Sequence, residues 1–409
     1  MALLALGLVT APTEYRRWAP CEVSIRQGTR HVAGDTQIVV APDGLTDWVY
    51  AAMTTKANHH GSQTNMKLAL SIGYSGASLD IPLDAIQLAD RLGYDSVWTA
   101  EAYGSDAITP LAWIAAQTKR IRLGTGIMQL AGRAPAMAAM QAQTVDALAG
   151  GNRVIAGLGV SGPQIVEGWY GQPWGRPYWR LRDYIQIMRK VNHRQEPVSH
   201  DGPEYQLPYT GEGTLGLGKP LMSILHTNPD LPIWLGSGSE STVKLTAELC
   251  DGWIPMHFVP GRMESYRPWI EEGFRRAKAN KGWHNFEIMG RGPVVITDDV
   301  ASELAKVKPS IALYAGGMGH REVNFHNEHM KQRGYPDVAE RVQELYLAGR
   351  KKEAVEAIPD EYVDEAGLYG SPQRIKQRWQ AWADSGITTF SVGSTRPEVL
   401  ELMAQIVLK

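Results

Sequence analysis

Cysteine is almost missing from this chain. Cys21 and Cys250 are the only two in 409 residues and stand far apart, which excludes a disulfide framework and a cysteine-based zinc site. A reducing cytoplasm is the default reading. An excess of one charge is missing too. With 41 basic and 43 acidic side chains the formal charge is −2, so no polybasic surplus favours nucleic acid or an anionic membrane as partner. No run reaches the roughly 18 apolar residues of a membrane span. The apolar start, Ala2 to Val9, has no basic n-region and is soon followed by Glu14, Arg16 and Arg17, which argues against a cleaved export signal. His320, His326 and His329 lack a carboxylate at a recognisable ligand spacing. A polar helix surface is the better reading, and no metal is expected.

What is present is an ordinary globular composition, 44% hydrophobic and 21% charged. It is enough for an α/β barrel of roughly 250 residues with insertions. Residues 1–65 carry scattered turn residues and little helical period, so they read as an extension, and the fold is expected to begin at Met66. From there strands and helices alternate. Lys67 to Ile72 is a short strand. Asp80 is placed to cap a helix with Pro82 in its first turn, Leu83, Ile86, Ala89 and Leu92 on one side, and Gly93 as the stop. Asp95–Ala100 is a strand and Asp106–Thr118 a helix. Ile121–Met128, the helix Pro135–Leu148 and the strand Val154–Leu158 continue the rhythm. A helix over Trp179–Val191 carries Leu181, Tyr184, Met188 and Val191 on one stripe. His193–Leu231 is rich in Pro and Gly and is expected to be an insertion folding over the barrel mouth. Pro232–Leu235, Ser239–Leu249, Asp251–Pro255, a strand over Phe286–Thr297, helices over Ala301–Tyr314, Glu340–Glu356 and Ser371–Asp384, the strand Ile387–Val392 and the helix Pro397–Leu408 complete the series. This order predicts a closed (β/α)8 TIM barrel spanning residues 66–409, with an insertion after the fourth helix region.

In such barrels the chemistry sits where the strands end. The third predicted strand ends in Gly124-Thr-Gly126-Ile127, and a glycine there lets the backbone bulge toward a ligand. Gly157-x-Gly159-x-x-Gly162 matches the dinucleotide fingerprint by letters. The acid at the right distance, Asp183, falls in a helix rather than at a strand end. A loop of backbone amides cradling a phosphate, helped by the Ser161 hydroxyl, fits better. Gly211-x-Gly213-x-x-Gly216 is a loop. Gly236-Ser-Gly-Ser239 enters a helix, where it either binds an anion or caps the helix through Ser237 or Ser239. Glu101 ends a strand otherwise free of charge; it either holds a ring or moves a proton, or it is a structural salt bridge. Trp169, Tyr170, Trp174, Tyr178 and Trp179 read as core more readily than as the wall of a substrate pocket.

Taken in order, Val97-Trp-Thr-Ala-Glu101, Arg122-Leu-Gly-Thr-Gly-Ile127, Gly157-Leu-Gly-Val-Ser-Gly162, Ala247-Glu-Leu-Cys-Asp-Gly-Trp253, Gly370-Ser-Pro and Gly386-Ile-Thr-Thr-Phe resemble the luciferase-like flavin/deazaflavin oxidoreductase superfamily. The nearest likeness is to its actinobacterial branch that uses the deazaflavin coenzyme F420. The resemblance covers Met66 to the C-terminus. It implies a third strand whose bulge holds a non-proline cis peptide against the central ring of the cofactor, here at Gly126-Ile127. The cofactor's phosphate tail is then expected near Ser161-Gly162 and Ser237-Gly238, with Glu101 on the ring. A homodimer is also implied. Two positions depart from the pattern. Relatives that oxidise alcohols or sugars follow the acid with a histidine, but here Ala102 follows Glu101; where some relatives carry a Glu, Pro163 stands. Glu101, Tyr103 or Tyr74 is then left to supply a proton. Three readings follow: an F420-dependent oxidoreductase acting on an apolar or conjugated small molecule, an FMN-dependent monooxygenase on the same scaffold, or a cofactor-binding protein without turnover.

Overall fold

The computed structural model describes residues 66–278, 280–318 and 324–408. The expected extension over residues 1–65, Cys21 and His320 lie outside the described residues. Eight parallel strands close on one another. They are β1 (Lys67–Gly73), β2 (Ser96–Thr99), β3 (Arg122–Thr125, resuming at Met128–Gln129), β4 (Val154–Gly159), β5 (Ile233–Ser237), β6 (Gly252–Pro255), β7 (Glu287–Gly292) and β8 (Thr389–Val392). Each pairs with the next, and β8 returns to β1 with Lys67 opposite Thr389 and Leu70 opposite Val392. The outer layer is α1 (Leu83–Leu92), α2 (Thr109–Gln117), α3 (Pro135–Leu148), α4 (Pro177–His193), α5 (Glu240–Leu249), α6 (Met263–Arg276), α7 (Pro372–Ala383) and α8 (Pro397–Val407). The (β/α)8 TIM barrel expected from the alternation is the observed fold. No helix among the described residues is long and apolar enough to cross a membrane.

Strands buried on both faces must be apolar on both, and β4 is buried at every position. Outward residues such as Leu68, Leu70, Val97 and Leu123 pack into the helix layer. The inward ones form a separate cluster of Ala69, Trp98, Ile155, Trp234 and Met289, with Ile254 against it. The Trp98 and Trp234 ring centroids lie 5.0 Å apart within this inner cluster. Their bulk explains two strand glycines: a Cβ at Gly124 would strike the Trp98 ring, and one at Gly252 the Trp234 ring. At the N-terminal ends of the strands, Arg122 pairs with Asp95 at 2.5 Å and Glu287 at 2.9 Å, and Lys67 with Glu287 at 2.7 Å. Burial pushes the Glu287 carboxyl upward, but Arg122 and Lys67 outweigh it and hold the pKa below the usual value.

The helix ends are only partly as expected. Gly93 stops α1 in the left-handed region, at φ 93°. The start of α1 carries no side-chain cap; Pro82 stands there, and Asp80 lies too far upstream. Ser371 caps α7 by accepting from the Arg374 N–H. The expected strand over Phe286–Thr297 is two strands, parted at Pro293, which has no N–H to give a ladder. The expected helix over Glu340–Glu356 is likewise two, Pro336–Leu347 and Lys351–Glu356, separated by Gly349 at φ 78°.

The insertion after α4 is held on the helix wall rather than over the mouth. Its short hairpin, His200–Asp201 against Gln206–Leu207, is held by the buried Asp183 of α4, whose carboxylate accepts from the Glu204 N–H at 2.7 Å and the Tyr205 N–H at 3.0 Å. Farther along, the Ser223 hydroxyl donates to Gln143 of α3 at 3.2 Å. An αβ connection of a barrel leads to the N-terminal face, so the mouth was the wrong place for it. The mouth-side insertion instead follows β7. There Val294–Ile296 pairs in parallel with Leu368–Gly370, and the helices between them enclose their own core, including Leu304, Met330, Val342, Leu345, Ile358 and Tyr362. Its helices read in sequence as more βα units, which concealed it.

Candidate active site

Before the bulge β3 pairs Leu123 with Val154 and Gly124 with Ile155; beyond it, Met128 with Leu158 and Gln129 with Gly159. The pairing slips by one residue, so one residue of β3 is extra, and the peptide Gly126-Ile127 within the slip is cis. The polar groups freed by the bulge are taken up locally. The Thr125 hydroxyl accepts from the Gly157 N–H and donates to the Gly157 carbonyl, both at 2.8 Å. The Gly126 N–H donates to the Thr99 carbonyl at 2.6 Å. The Ile127 side chain rests in a seat made by two missing side chains, since a Cβ at Gly159 would lie 2.7 Å from it and one at Gly236 3.0 Å. Glycines on β4 and β5 therefore place a branched apolar residue across the mouth.

Glu101 lies two residues beyond β2 and is spent on the protein itself. Its Oε1 accepts from the Gln129 N–H at 2.5 Å and Arg133 at 2.7 Å; its Oε2 accepts from the Ala107 N–H at 3.0 Å and Arg133 at 2.7 Å. The Glu101 side chain is 2% exposed and Arg133 11%. Of its two readings, the structural ion pair is the one seen. Burial lowers the Arg133 pKa, but the Glu101 partner outweighs it and the net shift is upward. Because Gln129 directly follows the bulge, this pair fastens β2 to the far side of the kinked strand. Tyr103 is 65% exposed and Tyr74 49%, so both tyrosines open to solvent.

The two loops expected to hold a phosphate differ. Ser161 is a non-glycine residue at φ 69°, and Gly162 precedes the short turn Pro163–Val166. Ser237 is buried, with its hydroxyl 2.9 Å from that of Thr246 on α5, so it faces the helix layer and not the mouth. Ser239 caps α5 instead, accepting from the Thr242 N–H. Gly238 is open apart from Met256, 3.6 Å from where a Cβ would stand. The aromatic group after Ser161 is divided: Trp169 is 62% and Trp179 42% exposed, while Tyr178 packs half-buried against the core and meets Trp179 edge to face.

Two residues of the mouth were not picked out in the sequence. The inward run of β7 passes from Met289 to Arg291, whose guanidinium lies 3.5 Å from the point a Gly126 Cβ would occupy. Beyond β6, His257 sits at φ 53° and meets two histidines of the mouth-side insertion. Its Nε2 is 3.1 Å from His326 Nδ1, and its ring centroid is 5.3 Å from that of His329. The helix Phe325–Gln332 thus turns His326 and His329 inward rather than onto a polar surface. Among the described residues no group of ligand-type side chains is arranged to hold a metal. The alternation Met289-Gly-Arg291 on one strand was the only available signal for Arg291.

Protein packed on one side, together with His326, Arg333 and Arg291, pushes His257 down to about 4, although its other side is open to solvent. Burial, with His257, Arg333, Arg262 and His326, pushes His329 down to about 3. Both are neutral at pH 7. The unfolded chain binds protons at these histidines below about pH 6.5 while the folded chain refuses them, so stability is complete above that pH and falls with it toward 4. The melting temperature is therefore expected to drop between pH 6.5 and 4. The drop should be visibly smaller in His329→Phe; an identical pH profile for the variant would refute the assignment.

The chain matches the luciferase-like monooxygenase family over residues 53–389, and it belongs to that family. It is 46% identical over 347 residues, 84% of this chain and 100% of the relative, to a protein of Mycobacterium tuberculosis provisionally described as a coenzyme F420-dependent oxidoreductase. Among solved structures it resembles the coenzyme F420 dependent tetrahydromethanopterin reductase of Methanopyrus kandleri, with a TM-score of 0.68, 19% identity, and 84% of this chain and 99% of that one covered. It also resembles the oxygenating constituent of 3,6-diketocamphane monooxygenase of Pseudomonas putida in complex with FMN. There the TM-score is 0.56 and the identity 18%, with 84% of this chain and 97% of that one covered.

Proposed function

We propose that this chain is an F420-dependent oxidoreductase that moves hydride between the deazaflavin and a conjugated small molecule. The observation that carries the reading is the kinked β3, whose Ile127 is seated by Gly159 and Gly236 at the mouth. The long, full-length identity to the mycobacterial relative favours F420 over FMN.

The residues present fit such a group. Ile127 offers a raised apolar shelf, and glycines at positions 126, 159 and 236 keep the mouth clear of side chains for a flat ring. The loop at Ser161-Gly162 and the open Gly238 lie at the ends of β4 and β5, where a phosphate tail would be held by backbone N–H groups and the Ser161 hydroxyl. When bound, the deazaflavin supplies a two-electron hydride. The protein's part is to support one ring face, exclude water from the other and hold the substrate. Glu101 acts as a positioning residue: with Arg133 it fixes Gln129 and hence the kink. In place of the histidine replaced by Ala102, the mouth offers neutral His257.

Difference spectroscopy of the purified protein with F420 and with FMN tests the proposal. Saturable binding of F420 that is tighter than that of FMN is expected. Tight FMN binding with oxygen uptake would support the monooxygenase instead, and binding of neither would refute both.

A further inference from the structure

Arg291 is anomalous in the way a site residue is anomalous. It points into the mouth from β7, beside the kink, and no carboxylate, carbonyl or other acceptor among the described residues meets it. Protein packed around it drives its pKa down through desolvation, while its surface remains open through the mouth; the open side governs, and the guanidinium stays charged. The neighbouring strand adds a second orphan. Ser391 stands in register with Arg291 on the inward face, fully buried, and its hydroxyl has no hydrogen-bond partner. Nearby charge has the same sign: Arg262 also lacks a partner among the described residues, and Arg333 is engaged with Glu365 at 2.5 Å. The histidines add no negative charge. The buried hydroxyl is costly without a partner; the open guanidinium is met only by solvent, and a planar oxyanion matches its fork.

We propose that Arg291, in register with the buried Ser391, forms an oxyanion subsite, so that the substrate is an acid whose carboxylate is anchored at β7 beside the Gly126-Ile127 kink. This rests on the functional reading above and sharpens it from a conjugated molecule to a conjugated acid. The carboxylate would orient the rest of the substrate across the mouth, with Ile127 beneath the cofactor and His257 on the β6 side.

Equilibrium dialysis of the full chain with cinnamate as the probe and cinnamyl alcohol as its uncharged control tests the subsite without turnover. Wild type is expected to bind cinnamate in preference to the alcohol. Arg291→Gln should weaken that binding by about tenfold or more and Arg291→Lys by less, while Ser391→Ala, whose hydroxyl is sealed from the mouth, should change it by no more than about twofold. F420 affinity should stay within about twofold of wild type in all three. Thermal melting distinguishes this from a structural role: a cation completed only by ligand should leave the empty protein as stable, or more stable, when replaced. Cinnamate binding unaffected by Arg291→Gln, or a loss of F420 affinity in its place, would overturn the proposal. So would a lowered melting temperature in Arg291→Gln. If the protein binds neither F420 nor FMN yet takes cinnamate through Arg291, the subsite stands and the functional reading falls.

Discussion

Glu101→Ala is expected to destabilise the protein by about 3–5 kcal/mol, as removing one partner of a buried ion pair does. The cost comes from what remains behind. Arg133, 11% exposed, would lose both ends of a bidentate partner. The N–H groups of Gln129 and Ala107 would lose their acceptor as well. Glu101→Gln keeps one carbonyl acceptor and should cost less, and removing Arg133 together with Glu101 should recover part of the loss, because no uncompensated charge then stays buried. Urea unfolding at pH 7 reads these differences directly. A Glu101→Ala protein as stable as wild type would remove the residue from the structural role. Conversely, a Glu101→Gln protein that keeps its stability and F420 affinity but loses hydride transfer would return it to catalysis. Its four accepted hydrogen bonds leave no oxygen free to take a proton from a substrate, which is why the structural outcome is expected.

The sequence singled out Glu101 but left its role open, and the same division runs through the molecule. Elements written into local pattern were legible. α3 runs over the expected residues, Pro135–Leu148, because proline at its start and alanine within it act locally. Gly93 ends α1 for the same reason. The kink at Gly126-Ile127 was placed through family likeness, since a glycine followed by a branched residue does not by itself specify a cis bond. What stayed hidden depends on distant partners. Arg133 gave no signal because its counterpart is 32 residues away. His257 lies in the loop between β6 and α6, a stretch without a periodic pattern. The insertion after β7 passed for barrel units because an amphipathic helix has the same period whichever core it covers. The aromatic run from Trp169 to Trp179 was assigned to the core on hydrophobicity, yet large apolar residues also occupy surfaces and ligand walls.

The two ends of the barrel divide the work in the manner this architecture favours. At the N-terminal face Lys67, Asp95, Arg122 and Glu287 satisfy one another in a closed set of charges, leaving nothing for a ligand. At the mouth the reverse holds: Arg291 is unpaired among the described residues. Loss of stability on changing the first group and loss of binding on changing the second is the pattern expected of a scaffold with its chemistry confined to one face. Cys250 takes part in neither; buried outside the bore, its thiol is pushed up to about 12 by burial, so it has no thiolate to offer at neutral pH.

Gly157→Ala should produce the other large effect, and by a route unlike that of Glu101. Its Cβ would fall on the carbonyl oxygen of Thr125, a backbone atom that cannot rotate aside. Next to that carbonyl the Thr125 hydroxyl bridges both polar groups of Gly157, so the clash would force apart the two strands that carry the kink. Overpacking of a rigid site commonly costs about 1–3 kcal/mol, and a backbone collision belongs at or above the upper end. We therefore expect a loss of about 3 kcal/mol or more, accompanied by loss of F420 binding, because displaced β3 no longer presents Ile127. Gly150→Ala is a suitable control for the substitution itself, since nothing lies within 4 Å of its would-be Cβ and its φ of 88° limits the cost to local strain. The comparison is of urea midpoints and F420 titrations for both proteins. If Gly157→Ala unfolds no more easily than Gly150→Ala and still binds F420, then β3 and β4 are not locked together at Thr125, and the shelf under the ring must be held by something else.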